Sequence, residues 1–118
     1  TVNQTFFTII KDFFISFFFK EPEYEPGLLK WKNASSEEIK NSLTAVEKII
    51  EEIGTDDKKK LREQLDELGK EIGDRGLVYW PFRVALTGLK ASPDPVDVAY
   101  ILGKGVALKR VGVAVKML

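Results

Sequence analysis

Apolar residues recur along nearly the whole chain at spacings of three and four, the pattern of helices that bury one face. Over residues 3–20, Phe6, Ile9, Ile10, Phe13 and Phe17 form one stripe, and Phe7, Phe14 and Phe18 form a second. A helix that is apolar on two sides is expected to be covered on both. Pro22, Pro26 and Gly27 then break the chain, and Leu28, Leu29 and Trp31 point to a short second helix. Ser35 and Glu38 have the spacing of a capping box, in which each side chain satisfies a free amide of the first turn. The helix that follows is predicted to run through Ile39, Leu43, Val46, Ile50 and Ile53 and to stop at Gly54. Thr55 is the expected cap of a fourth helix with the stripe Leu61, Leu65, Leu68 and Ile72, ended by Gly73. The charged residues 56–60 read as its solvated first turn.

Three shorter helices are expected beyond Gly73. Pro81 suits the first position of a fifth helix, which runs to about Leu89. Ser92 is the expected cap of a sixth, with Pro93 at its first position. Pro95 is tolerated there because the first amides of a helix have no partners to lose. The seventh starts near Lys104 and carries Leu108, Val111, Val115 and Leu118 on one face. Val78, Tyr79 and Trp80 are the only β-like run, too short for a strand. The predicted fold is therefore all-α, a compact bundle of about six or seven helices, without an internal repeat.

Composition narrows the chemistry. With 118 residues, 44% hydrophobic and 31% charged, the chain has the make-up of one soluble globular domain. It contains no Cys and no His, which excludes thiol nucleophiles, disulfides, zinc sites and imidazole acid–base catalysis. No spaced carboxylate cluster suggests a metal, and Gly103-Lys104-Gly105 lacks the strand and glycine spacing of a phosphate loop. No catalytic residue is expected. The apolar run of residues 6–19 is interrupted by Lys11 and Asp12 and falls short of the ~18–20 residues that span a bilayer. No membrane partner and no signal peptide are expected. A start at Thr1 rather than Met points to a piece of a longer chain.

The formal net charge of zero conceals an asymmetry. Residues 1–74 hold 11 basic and 16 acidic side chains, whereas residues 75–118 hold 7 basic and only Asp94 and Asp97. A basic back end fits a polyanionic partner; ordinary segregation of charge between solvated faces fits it equally. Within that half, Phe82, Ala85, Leu86 and Leu89 share a helical face, with Arg83 and Thr87 on the polar edge beside it. Tyr79 and Trp80 lie just upstream, and aromatics beside Arg are what splayed bases stack on. Core packing for the aromatics, and an ion pair from Arg83 to Asp94 or Asp97, are the competing assignments.

Residues 77–88, Leu-Val-Tyr-Trp-Pro-Phe-Arg-Val-Ala-Leu-Thr-Gly, resemble the signature near the C-terminus of bacterial glutamyl-tRNA synthetases. Ser92-Pro93 follows at the family's distance, and Leu102-Gly103-Lys104 with Arg110 resembles the family's closing helix. Phe17-Phe18-Phe19-Lys20 with Tyr24 resembles an upstream aromatic segment. The likeness is strong over residues 80–110 and weak over residues 33–73, where only helical spacing agrees.

The resemblance implies a helical cage of the class I synthetase anticodon-binding type. Residues 1–33 would close a preceding helical domain and link it to the anticodon-binding domain at residues 34–118. Arg83 would contact the third anticodon base, and Ser92, Pro93, Asp94 and Pro95 would frame the middle one. Lys90, Lys104 and Arg110 are the implied phosphate neighbours. Some members carry an Arg that selects the first base, at a position occupied here by Gln4 or Thr5. Discrimination at that base is therefore expected to be weak, with tRNA(Gln) accepted beside tRNA(Glu). Glutamate, ATP and Mg2+ would bind in a catalytic domain outside these residues, so no cofactor is expected here. The parent is expected to be a cytoplasmic monomer, and the second Phe stripe to promote self-association of this chain. The alternative is a helical module that binds a protein through that same aromatic face.

Overall fold

The computed structural model describes residues 17–118. All regular structure among the described residues is helical: a 3-10 turn at Pro26–Leu29, then α1 (Ser36–Ile53), α2 (Lys58–Ile72), α3 (Arg75–Thr87), α4 (Pro95–Leu102) and α5 (Lys104–Met117). The phenylalanine stripes before Phe17, and Gln4 and Thr5 with them, lie outside the described residues.

α1 forms as its sequence dictates. The Glu38 amide donates to Ser35 Oγ at 3.1 Å and the Ser35 amide to Glu38 Oε1 at 3.2 Å, and Gly54 ends the helix at φ 72°. Its stripe of Ile39, Leu43, Val46 and Ile50 is fully buried, each side chain contributing roughly 1.5–3 kcal/mol of apolar transfer. α1 lies along α5 and α3, while α2 covers α3 and meets α4. Leu29 and Phe17 reach the same core from the N-terminal side.

Four local expectations are corrected. Asp57, not Thr55, caps α2: its Oδ1 accepts the Lys60 amide at 3.0 Å. Thr55 is drawn inside instead, 1% exposed, its hydroxyl without a partner. The helix expected to start at Pro81 starts at Arg75 and takes in the β-like triplet, with Pro81 in its interior. Asp74 explains the earlier start, since its carboxylate accepts the amides of Gly76 and Leu77 at 3.0 and 3.4 Å. α4 is capped by Asp94 rather than Ser92, and Pro95, not Pro93, stands at its first position. The buried face of α5 is Ala107, Arg110, Val111 and Ala114; Leu108, Val115 and Leu118 are only half-buried.

Candidate nucleic-acid interface

Asp74 ties the start of α3 to the segment before α1. Its two carboxylate oxygens accept the Trp31 indole N–H, both at 3.1 Å. Trp31 packs 5.8 Å from Trp80, centroid to centroid, and the Trp80 indole donates to the Leu28 carbonyl at 2.9 Å. Tyr79 is held on the other side, its hydroxyl donating to Asp66 at 2.7 Å and the Arg75 guanidinium lying 4.5 Å above its ring. Burial first, and the bond to Asp66 second, push the Tyr79 hydroxyl well above the usual tyrosine range. Both aromatics are thus anchored by their polar ends. Trp80 still lines an open groove of about 650 Å³ with Leu28, Lys30 and Lys90.

Arg83 follows Tyr79 by one turn of α3. It is half-buried, and its Nε is enclosed with no hydrogen-bond partner. The helix closes just after it. Thr87 Oγ1 donates to the Arg83 carbonyl at 2.8 Å and accepts the Leu89 amide at 3.1 Å. Gly88 then turns the chain at φ 71°, where an added Cβ would lie 2.9 Å from Pro22 Cβ. Only glycine meets both demands.

The turn between α3 and α4 exposes Lys90 and leaves Ser92, Pro93 and Asp94 half-buried, while Pro95 is buried beneath it. Asp94 is the best-connected residue of the turn. Its Oδ1 accepts the Val96 amide at 2.8 Å, and its Oδ2 pairs with Arg62 Nη1 at 2.9 Å. Burial alone would raise this carboxyl. The hydrogen bonds from Arg62 and the Val96 amide, with the charges of Arg62 and Arg83, outweigh burial and hold it below the usual range. The same hydrogen bond raises Arg62. Asp97 pairs with Lys58 at 3.4 Å. Neither acid named as a partner for Arg83 is therefore bonded to it.

The other two basic positions are engaged elsewhere. Lys104 Nζ donates to the Glu51 carbonyl, 2.9 Å away at the end of α1. Arg110 is 5% exposed and donates to the carbonyls of Leu86 at 2.7 Å and Lys20 at 3.4 Å. Burial lowers its pKa, and only the charge of Glu21 opposes that. Its guanidinium serves the end of α3 and is turned away from solvent, so it is not placed to meet a phosphate.

Sequence reasoning missed Arg62. Asp94 itself is among the residues the resemblance places in the turn, and an Asp just before a Pro is a readable helix-cap signal. The cation that Asp94 pairs with, 32 residues earlier on a helix assigned only a scaffold role, leaves no local signal.

The family described as anticodon binding domain matches residues 5–115. The chain is also similar to glutamate–tRNA ligases: 34% identical to that of Clostridium tetani over 88% of the chain, 31% to that of Herpetosiphon aurantiacus over 85%, and 31% to that of Clostridium kluyveri over 88%. It spans about a fifth of the length of these relatives, 22%, 21% and 22% respectively. No solved structure matches it significantly. An all-helical architecture and a family match that runs nearly from end to end agree with one another: the chain belongs to the anticodon binding domain family.

Proposed function

We propose that this chain reads the anticodon of tRNA(Glu) as the C-terminal part of a glutamate–tRNA ligase. The observation that carries the reading is Arg83. It is a half-buried arginine on the helix leading into the Ser92-Pro93 turn, and its enclosed Nε has no hydrogen-bond partner. An arginine fork with an unpartnered N–H is suited to the acceptors on a base edge. In this reading Arg83 takes the third anticodon base, Ser92 and Pro93 flank the middle one, and Asp94 with Pro95 shapes the turn from beneath. Lys90 and Lys30, on the rim of the Trp80 groove, supply phosphate contacts. The whole ligase would join glutamate to the tRNA with ATP and Mg2+ in a catalytic domain outside this chain, in the cytoplasm where tRNA is charged. With Gln4 or Thr5 at the first-base position, tRNA(Gln) would be accepted as well.

The test is a binding titration of labelled anticodon hairpins at low salt. One bears the glutamate anticodon, and others are altered at the second or third base. Preference for the glutamate hairpin, lost at the third base in Arg83→Ala, is expected. Equal affinity for all hairpins would reduce the chain to a phosphate-binding surface and overturn the reading.

A further inference from the structure

Arg62 belongs to α2, the helix from which Lys58 also reaches forward, to Asp97. The Arg62 guanidinium reaches across and takes one oxygen of Asp94 at 2.9 Å, while the Val96 amide takes the other at 2.8 Å. Each oxygen of that carboxylate thus carries one bond. The charge of Arg83 also favours the ionised form of Asp94, yet the guanidinium bonded to that carboxylate is that of Arg62, and Arg83 Nε is enclosed without a partner. An ionised carboxylate beside an arginine normally pairs with it, often through two parallel bonds. Here the arginine that pairs with Asp94 is Arg62.

We propose that Arg62 is a positioning residue for base reading: by engaging Asp94 it keeps that carboxylate from capturing Arg83, whose guanidinium stays free for the third anticodon base. The inference rests on the base-reading role proposed for Arg83. It accounts for an acid in a turn that would meet RNA. Alone, Asp94 would repel phosphate and compete for Arg83. Paired with Arg62, it caps α4 and does neither. Arg62 touches no base in this scheme and acts only through Asp94.

Hairpin binding by the 118-residue chain tests the scheme in four variants. Arg62→Ala frees Asp94 and should weaken the glutamate hairpin up to about fivefold, the range of a partly exposed ion pair formed in competition. Its preference over the hairpin altered at the third base should shrink in parallel. Arg62→Lys keeps the charge and should retain most of the preference. The decisive variant is Arg62→Ala with Asp94→Asn. Asparagine preserves an oxygen for the Val96 amide but offers Arg83 no charge, so affinity and preference should return toward wild type. A double variant as weak as Arg62→Ala overturns the proposal, because Arg62 would then act directly on phosphate or on the fold. An Arg62→Ala protein with wild-type preference overturns it too. Arg83→Ala separates the two layers. If it binds and discriminates like wild type, the base-reading role falls and the inference with it. If it is impaired while Arg62→Ala is not, only the inference falls.

Discussion

The hydroxyl of Ser42 donates to the carbonyl of Leu77 at 2.9 Å, in the buried seam between α1 and α3. That carbonyl is the acceptor a residue at position 81 would use in an unbroken helix. Pro81 has no N–H to offer, so a side chain from the neighbouring helix supplies the missing proton. Ser42→Ala should therefore cost about 1–3 kcal/mol, the penalty of a buried unsatisfied carbonyl. Pro81→Ala restores a backbone donor, and in that background the same Ser42→Ala change should cost far less. Urea unfolding of the four proteins measures the coupling. Equal costs in both backgrounds would show that Ser42 and Pro81 are independent.

Gly76 is fixed by a different neighbour. A Cβ there would lie 2.1 Å from Trp31 Cζ2, on the ring whose N–H holds Asp74. Gly76→Ala should destabilise by about 1–3 kcal/mol through overpacking, against the small gain that alanine usually brings in a helix. Gly105, in α5, has nothing within 4 Å of an added Cβ, and Gly105→Ala should show that gain, about 0.5–1 kcal/mol. Thermal melts of the two variants should move in opposite directions. Melts that move the same way would mean that Trp31 yields without loss.

Arg110 and Lys90 should separate cleanly in a binding experiment. Arg110→Met removes the donor from the Leu86 carbonyl at the end of α3, where a cation also meets the negative pole of the helix. A loss of about 1–3 kcal/mol of stability is expected, with no change in how hairpin affinity depends on salt. Lys90→Ala should leave the melting temperature alone and reduce the slope of log affinity against log salt by about 0.7, the value for one phosphate contact on a single strand. A reduced salt slope in Arg110→Met would return that residue to the RNA surface.

The parts of the fold that were legible in the sequence are those whose cause is local. The capping box at Ser35 and Glu38 and the stop at Gly54 depend on neighbours within four residues, and the stripe of α1 follows from periodicity alone. Pro81 reads as a helix start because that is the usual place for proline, whereas the hydroxyl that permits it inside α3 comes from Ser42, 35 residues before the Leu77 carbonyl it serves. Ser92 was preferred as a cap although Asp94 is the better acceptor, with an amide and a guanidinium to satisfy. At the candidate site, resemblance singled out Arg83. That its Nε is enclosed without a partner could not be read from spacing, because it depends on packing. Arg110 enters as a phosphate neighbour through the resemblance alone, and only packing shows that it shares the inward face of α5 with Ala107, Val111 and Ala114.

Tyr24 gives the fold a pH dependence whose sign follows from its surroundings. Its hydroxyl is enclosed with no partner, and burial pushes its pKa from 10.0 up to about 12. Below pH 10 both folded and unfolded chains keep the proton, and the contribution to stability is complete. Between pH 10 and about 12 the unfolded chain releases the proton first, so stability falls as pH rises through the folded pKa. Tyr79 shifts in the same direction and should add to the alkaline loss. Tyr24→Phe removes an unsatisfied hydroxyl without disturbing the ring beside Gly88. At neutral pH it should melt at the same temperature or higher, by up to about 1 kcal/mol of added stability. Above pH 10 its stability should decline less steeply than that of the wild type. Unfolding curves at pH 7 and pH 11 for both proteins decide the matter. A Phe variant that is weaker at pH 7 and just as sensitive at pH 11 would mean that the hydroxyl has a partner, and that the alkaline loss begins elsewhere.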